Sequence, residues 1–133
     1  LLNCATVGLE LNGMADANFE RSLMEAVKAD ELIGSKSKDE LPALVGLPIT
    51  VKDHVPVKGY LDTIGFCPQT KNVSNLNCDV VENLRKLGVV VICKSNVIQA
   101  TMGAETTSKV YGTCKNIYNF NRTTGGSSGG EGC

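Results

Sequence analysis

The chain is predicted to be an α/β protein, a mixed, largely parallel sheet covered by helices. Three observations predict it. Apolar residues recur at helical spacing over residues 15–33, apolar and polar residues alternate over 49–52, and an unbroken apolar, mostly β-branched run fills 89–93. Helix and strand signals that alternate along a chain point to layered α/β packing rather than to a bundle or a sandwich.

In the first segment Ala15, Phe19, Leu23, Ala26 and Val27 step by three and four and make one apolar stripe. Asn12 or Asp16 is expected to cap its start, and Gly34 to follow its end. Residues 35–40 are charged and without periodicity, as in an exposed connection. Ile49 and Val51 then alternate with Thr50 and Lys52, which predicts a short strand with Lys52 at its C-terminal end. Pro48 fits only the start or edge of that strand. Residues 56–77 are rich in Gly, Pro, Asn and Ser and read as irregular loop.

A second helix is expected over 79–87. Asp79 and Glu82 have capping-box spacing, Val80, Val81, Leu84 and Leu87 supply an apolar face, and Gly88 suits the C′ position. The run 89–93 fits a strand buried on both faces. Ser95 and Asn96 are expected to cap a short helix reaching Met102, and residues 103–128 are polar and turn-rich.

Composition narrows the function classes. The chain has 133 residues, 42% hydrophobic and 20% charged, with a net charge of −1. That balance gives no footprint for nucleic acid or an anionic membrane. No apolar run approaches the roughly 20 residues of a spanning helix. The six cysteines, at 4, 67, 78, 93, 114 and 133, form no C-x-x-C pair and have no histidine near them. Zinc and redox-motif readings are therefore disfavoured, and buried or free thiols of a reducing compartment are expected. No metal or cofactor is expected.

Residues 125–132 (Gly-Gly-Ser-Ser-Gly-Gly-Glu-Gly) carry the chemistry, if they are not a flexible linker. They satisfy the G-x-S-x-G nucleophile-elbow pattern twice, at Ser127 and Ser128, but residues 119–124 make a poor buried strand before an elbow, and His54 lies on the wrong side for that order. A phosphate loop would need Gly-Lys-Ser/Thr, and Glu131 is of the wrong charge.

Taken with three other segments, this stretch resembles the amidase-signature family. Residues 46–53 (Gly-Leu-Pro-Ile-Thr-Val-Lys-Asp) resemble that family's strand to its lysine. Lys94, Ser95 and Asn96 resemble its K-T/S-N step. Tyr111, Gly112, Thr113 and Asn116 resemble its approach to the serine loop, and residues 125–130 the loop itself. The matches occur in the family's order from about residue 15 onward. The chain departs from the pattern at Ile98, Ile117 and Thr124, where relatives often carry proline.

The resemblance implies an amidase-signature fold, of which residues 1–133 are part of one domain truncated before the nucleophile. It implies hydrolysis of carbon–nitrogen amide bonds through an acyl-enzyme at a Ser-Ser-Lys site. Lys52 would be the base and Ser127 the bridging serine, on a cis peptide with Gly126. Ser128 would hydrogen-bond near Ser127, Thr101, Met102 and Gly103 would line the substrate pocket, and Gly125, Gly126, Gly129 and Gly130 would shape the loop backbone. The nucleophilic serine is expected outside this chain, so residues 1–133 alone are expected to be inactive. The substrate implied is a small-molecule amide. The Gly-Gly-Glu-Gly tail is similar to fatty acid amide hydrolases, whereas Met102-Gly103 is similar to the A chains of glutamyl-tRNA amidotransferases. A catalytically dead relative is the remaining alternative. An intracellular protein, cytoplasmic or membrane-associated, is the corresponding expectation for location.

Overall fold

A computed structural model describes all 133 residues. Its centre is a three-stranded mixed sheet in the order β1-β3-β2. These strands are β1 (Met14–Asp16), β2 (Pro48–Lys52) and β3 (Val90–Ser95). β2 runs parallel to β3, and β1 pairs antiparallel to β3. The register places Lys52 opposite Ser95 and Val51 opposite Lys94, so the C-terminal ends of the parallel pair lie side by side. The expected strand ending at Lys52 is present, with Pro48 as its first residue.

The first helix, α1 (Phe19–Ser35), begins four residues later than its apolar pattern suggests. Ala15 and Asp16 belong to β1 instead. Asn18 is the N-cap, its side chain accepting from Arg21 N at 3.0 Å. The helix also runs through Gly34. Its inward face is not the Leu23/Val27 stripe: Ser22 and Ala29 are buried, and Leu23 is 57% exposed. The hydroxyl of Ser22 has Asn18 O and Val91 O as acceptors for its one proton, both at 3.0 Å. Small residues at this face let the helix sit close on β3, and burial of the hydroxyl is offset by its backbone acceptors.

The second helix, α2 (Asp79–Lys86), follows Cys78 as N-cap, and Gly88 adopts φ +93 just after it. The expected capping box is absent, because Cys78 takes the N-cap position and Asp79 is already helical, while Asn77 Nδ2 donates to Glu82 Oε2 from outside the helix. Of the expected apolar face only Val81 is fully buried, and Val80 is 67% exposed. Val81 packs with Val51, Val57, Tyr60 and Val91 into the core cluster. Each such buried side chain stabilises the fold by about 1.5–3 kcal/mol. Tyr60 satisfies its hydroxyl on Val91 O at 3.2 Å.

β3 is buried along nearly its whole length, as its apolar run implies. Ser95 lies in the strand and caps no helix. Residues 99–101 form only a short 3-10 turn, with Ala100 and Thr101 at positive φ. The turn-rich stretch after it contains two small antiparallel ladders. β4 (Thr107–Ser108) pairs with β5 (Gly112–Thr113), and β6 (Lys115–Asn116) with β7 (Asn119–Thr123). Cys114 N donates to Thr106 O and Lys115 N to Leu11 O, both at 2.9 Å. These bonds carry the chain back to the sheet, where a four-residue helix, α3 (Gly129–Gly132), ends it.

Candidate active site

Two pieces of chain meet beside the C-terminal end of β2. The first is the strand itself. Its pleat sends Thr50 and Lys52 to one face and buries Val51 on the other. The second is the loop of residues 125–128 leading into α3. Lys52 Nζ and Ser127 Oγ lie 2.7 Å apart, across 75 positions of sequence. Partial burial lowers the Lys52 pKa from its ordinary value, and the negative charge of Glu131 opposes that shift.

The loop backbone is tightly specified. The Gly126–Ser127 peptide is cis, and Gly125 has φ +77. A Cβ on Gly126 would fall 2.6 Å from both C and O of Glu105, and one on Gly130 would overlap the backbone of Asn96. Gly130 N donates to Asn96 O at 3.1 Å, so glycine there permits direct backbone contact with the end of the sheet. Gly129 is buried against Thr106.

Thr106 has no distinguishing signal in the sequence, yet it holds the loop together. It is fully buried. Its hydroxyl donates to Gly125 O at 3.0 Å and accepts from Gly129 N at 2.7 Å. One side chain therefore spans the two ends of the segment that presents Ser127.

Beneath the site lies a second, buried lysine. Lys94 Nζ donates to Asp53 O at 2.7 Å and to Leu61 O at 3.0 Å. It also faces the Asp53 carboxylate at 3.9 Å, both side chains being fully buried. Asp53 accepts from Thr63 Oγ1 at 2.6 Å, and Thr63 Oγ1 lies 2.9 Å from Tyr111 Oη. Burial pulls the Lys94 pKa down, while Asp53 and Asp62 hold it up. Asp53, next to Lys52 in sequence, thus turns into the core and is no partner of Lys52.

The remaining expected residues are not all brought together. Ser128 is exposed, its hydroxyl makes no hydrogen bond, and its carbonyl accepts from Glu131 N and Gly132 N instead. The expected bond near Ser127 is therefore absent. Met102 is 84% exposed and plays no part in the core. Thr101 is half-buried on its positive-φ turn, and Gly103 is exposed beside Ile98. His54 is exposed and makes no hydrogen bond. All six cysteines are free, with the thiols of Cys114 and Cys133 3.5 Å apart. No helix is long and apolar enough to cross a membrane.

Comparison with known proteins fits this geometry. Fatty-acid amide hydrolase 2-A of Danio rerio is 34% identical over an alignment of 128 positions that covers 92% of this chain and 24% of that protein. The A chain of the glutamyl-tRNA(Gln) amidotransferase of Koribacter versatilis is 32% identical over 122 residues, 92% of this chain and 25% of that protein. The crystal structure of an amidase superposes with a TM-score of 0.83 at 28% identity, over 97% of this chain and 29% of that one. The chain spans about a quarter of the length of the curated relatives it matches. The model of the amidase family matches residues 1–133, and with these likenesses it establishes that the chain belongs to the amidase family.

Proposed function

We propose that this chain supplies the lysine–serine proton relay of an enzyme that hydrolyses carbon–nitrogen amide bonds through an acyl-enzyme. The observation that carries this reading is the 2.7 Å contact between Lys52 Nζ and Ser127 Oγ at the end of β2.

A lysine acts as a base only when neutral. Partial burial of Lys52 moves its pKa in the required direction. With Lys52 neutral, the Ser127 hydroxyl donates to the Nζ lone pair. As Ser127 loses that proton it takes one from a nucleophilic serine, which the relay reading places in sequence beyond this chain. The nucleophile attacks the amide carbonyl, and the C–N bond breaks as the proton returns through Ser127 to the leaving amine. Water then releases the acid by the same relay. Activity is expected to rise with pH through the Lys52 pKa, because the neutral base accumulates above it.

Fatty acid amides are the substrate class we favour. The support is the Gly-Gly-Glu-Gly sequence after the serine pair together with the likeness to a fatty-acid amide hydrolase. The likeness to an amidotransferase chain supports a second reading, a glutaminase-type activity.

The test is labelling of the full-length protein with a fluorophosphonate probe. Lys52→Ala and Ser127→Ala are each expected to slow labelling at least ~100-fold, on the scale of general-base catalysis. Labelling that proceeds at the unsubstituted rate in Lys52→Ala would remove the relay.

A further inference from the structure

We propose that Thr50 and Glu131 form a positioning pair, a second latch parallel to Lys52–Ser127, that sets the serine loop on β2 and keeps a carboxylate facing the base. The proposal rests on the relay reading and assigns it two further residues.

The geometry is a two-point match between a strand and a helical turn. Thr50 and Lys52 are two apart on β2 and share a face. Ser127 lies on the loop before α3 and Glu131 within α3, and each meets a side chain of that face. Lys52 meets Ser127 at 2.7 Å, and Thr50 Oγ1 donates to Glu131 Oε2 at 2.5 Å. A hydroxyl that donates to a carboxylate makes a charge-assisted hydrogen bond. Four side chains thus join the two segments in register, two from each.

The pair also decides which charges Lys52 meets. Glu131 faces it from α3 and favours its ammonium form. His54, on the turn after β2, is the other titratable group whose electrostatics involve Lys52. Its imidazolium is disfavoured first by partial burial and then by the charges of Lys52 and Lys94. Asp53 is turned away towards Thr63 and Lys94. Glu131 is therefore the one anion that opposes burial at the base. Thr50 Oγ1 is the side-chain group that donates to its carboxylate.

The sign of the expected effect follows. Removing the charge of Glu131 lowers the pH at which Lys52 becomes neutral. In Glu131→Gln the acid limb of fluorophosphonate labelling moves to lower pH by about half a unit or more, which makes labelling on that limb about threefold faster or more. Thr50→Val removes the only donor to that carboxylate and is expected to move the limb the same way, so it reads the pair even if Glu131→Gln folds poorly. Thr50→Ser keeps a hydroxyl and is expected to keep the original limb. The experiment is the pH profile of labelling of the full-length protein and of these variants, with Lys52→Ala alongside. A limb that stays in place in both Glu131→Gln and Thr50→Val, while labelling still depends on Lys52, overturns the pair and leaves the relay standing. A limb that moves as far in Thr50→Ser as in Thr50→Val overturns the part given to the hydroxyl. Labelling independent of Lys52 overturns the relay itself.

Discussion

At the scale of single residues, the site depends on groups that do not advertise themselves. Ser127 and Lys52 are legible, the one because it stands among glycines, the other because alternation ends on it. Thr106 is not, since a threonine 19 positions before Gly125 in a polar stretch has no pattern around it. Its importance appears only when the chain folds back. Replacing Thr106 with Val keeps the shape and removes both hydrogen bonds, leaving Gly125 O and Gly129 N without their buried partner. We expect Thr106→Val to cost about 1–3 kcal/mol, read as a lower urea midpoint of the full-length protein. Slower fluorophosphonate labelling should accompany it at denaturant concentrations where the sheet is intact. A midpoint and labelling rate unchanged from the unsubstituted protein would show that Thr106 does not hold the loop. Ser128 teaches the reverse lesson: it is conspicuous beside Ser127, yet its hydroxyl is unengaged.

At the scale of elements, strands are easier to read than helix faces. β2 and β3 follow from alternation and from a β-branched run, because a strand's side-chain period is short and its burial is set by immediate neighbours. α1 shows where pattern fails. Leu23 and Val27 form a stripe, but the helix packs by Ser22 and Ala29 so that it can approach Val91 closely. Close approach favours small side chains, and apolar periodicity alone cannot register that. Ala15 and Asp16 extend the helical pattern, yet pairing with β3 places them in a strand. The Lys94 cross-link is the corresponding device between elements. It ties the end of β3 to the turn after β2 and to Leu61. Lys94→Met would leave the Asp53 carboxylate buried with Thr63 as its side-chain partner. A loss of about 3–5 kcal/mol is expected, measurable as a lower thermal midpoint of the full-length protein. A midpoint indistinguishable from the original would count against the cross-link.

At the scale of the whole molecule, surface area is the informative quantity. The chain exposes 7735 Å², whereas a compact protein of its 14.1 kDa would expose about 6,700 Å². The difference is accompanied by apolar side chains left in the open. Leu23, Met24, Val27 and Ile33 stand along α1, and Val80 on α2. Exposed apolar side chains in this number favour association. Residues 1–133 expressed alone are expected to bind the dye ANS and to elute larger than a monomer in size-exclusion chromatography. A dye-silent monomer would contradict that expectation. The α/β class and the amidase family are both legible in the sequence, because four motifs in fixed order survive without knowledge of packing. The hairpins β4–β5 and β6–β7 are not, since strands of two to five residues with polar faces show no apolar alternation.

The 75-residue separation of Lys52 and Ser127 carries a consequence for the order of assembly. β2 and β3 pair across the loop between them, whereas the serine loop reaches the sheet through both hairpins. Loop closure over such a span is an entropic cost met late, when partners already exist to receive it. We expect the contact between Lys52 and Ser127 to form after β2 and β3 have paired, which a pulse-labelling hydrogen-exchange experiment on the full-length protein would read. A local opening of residues 125–132 would break that contact without unpairing β2 from β3, so the two side chains could part while the sheet stays closed.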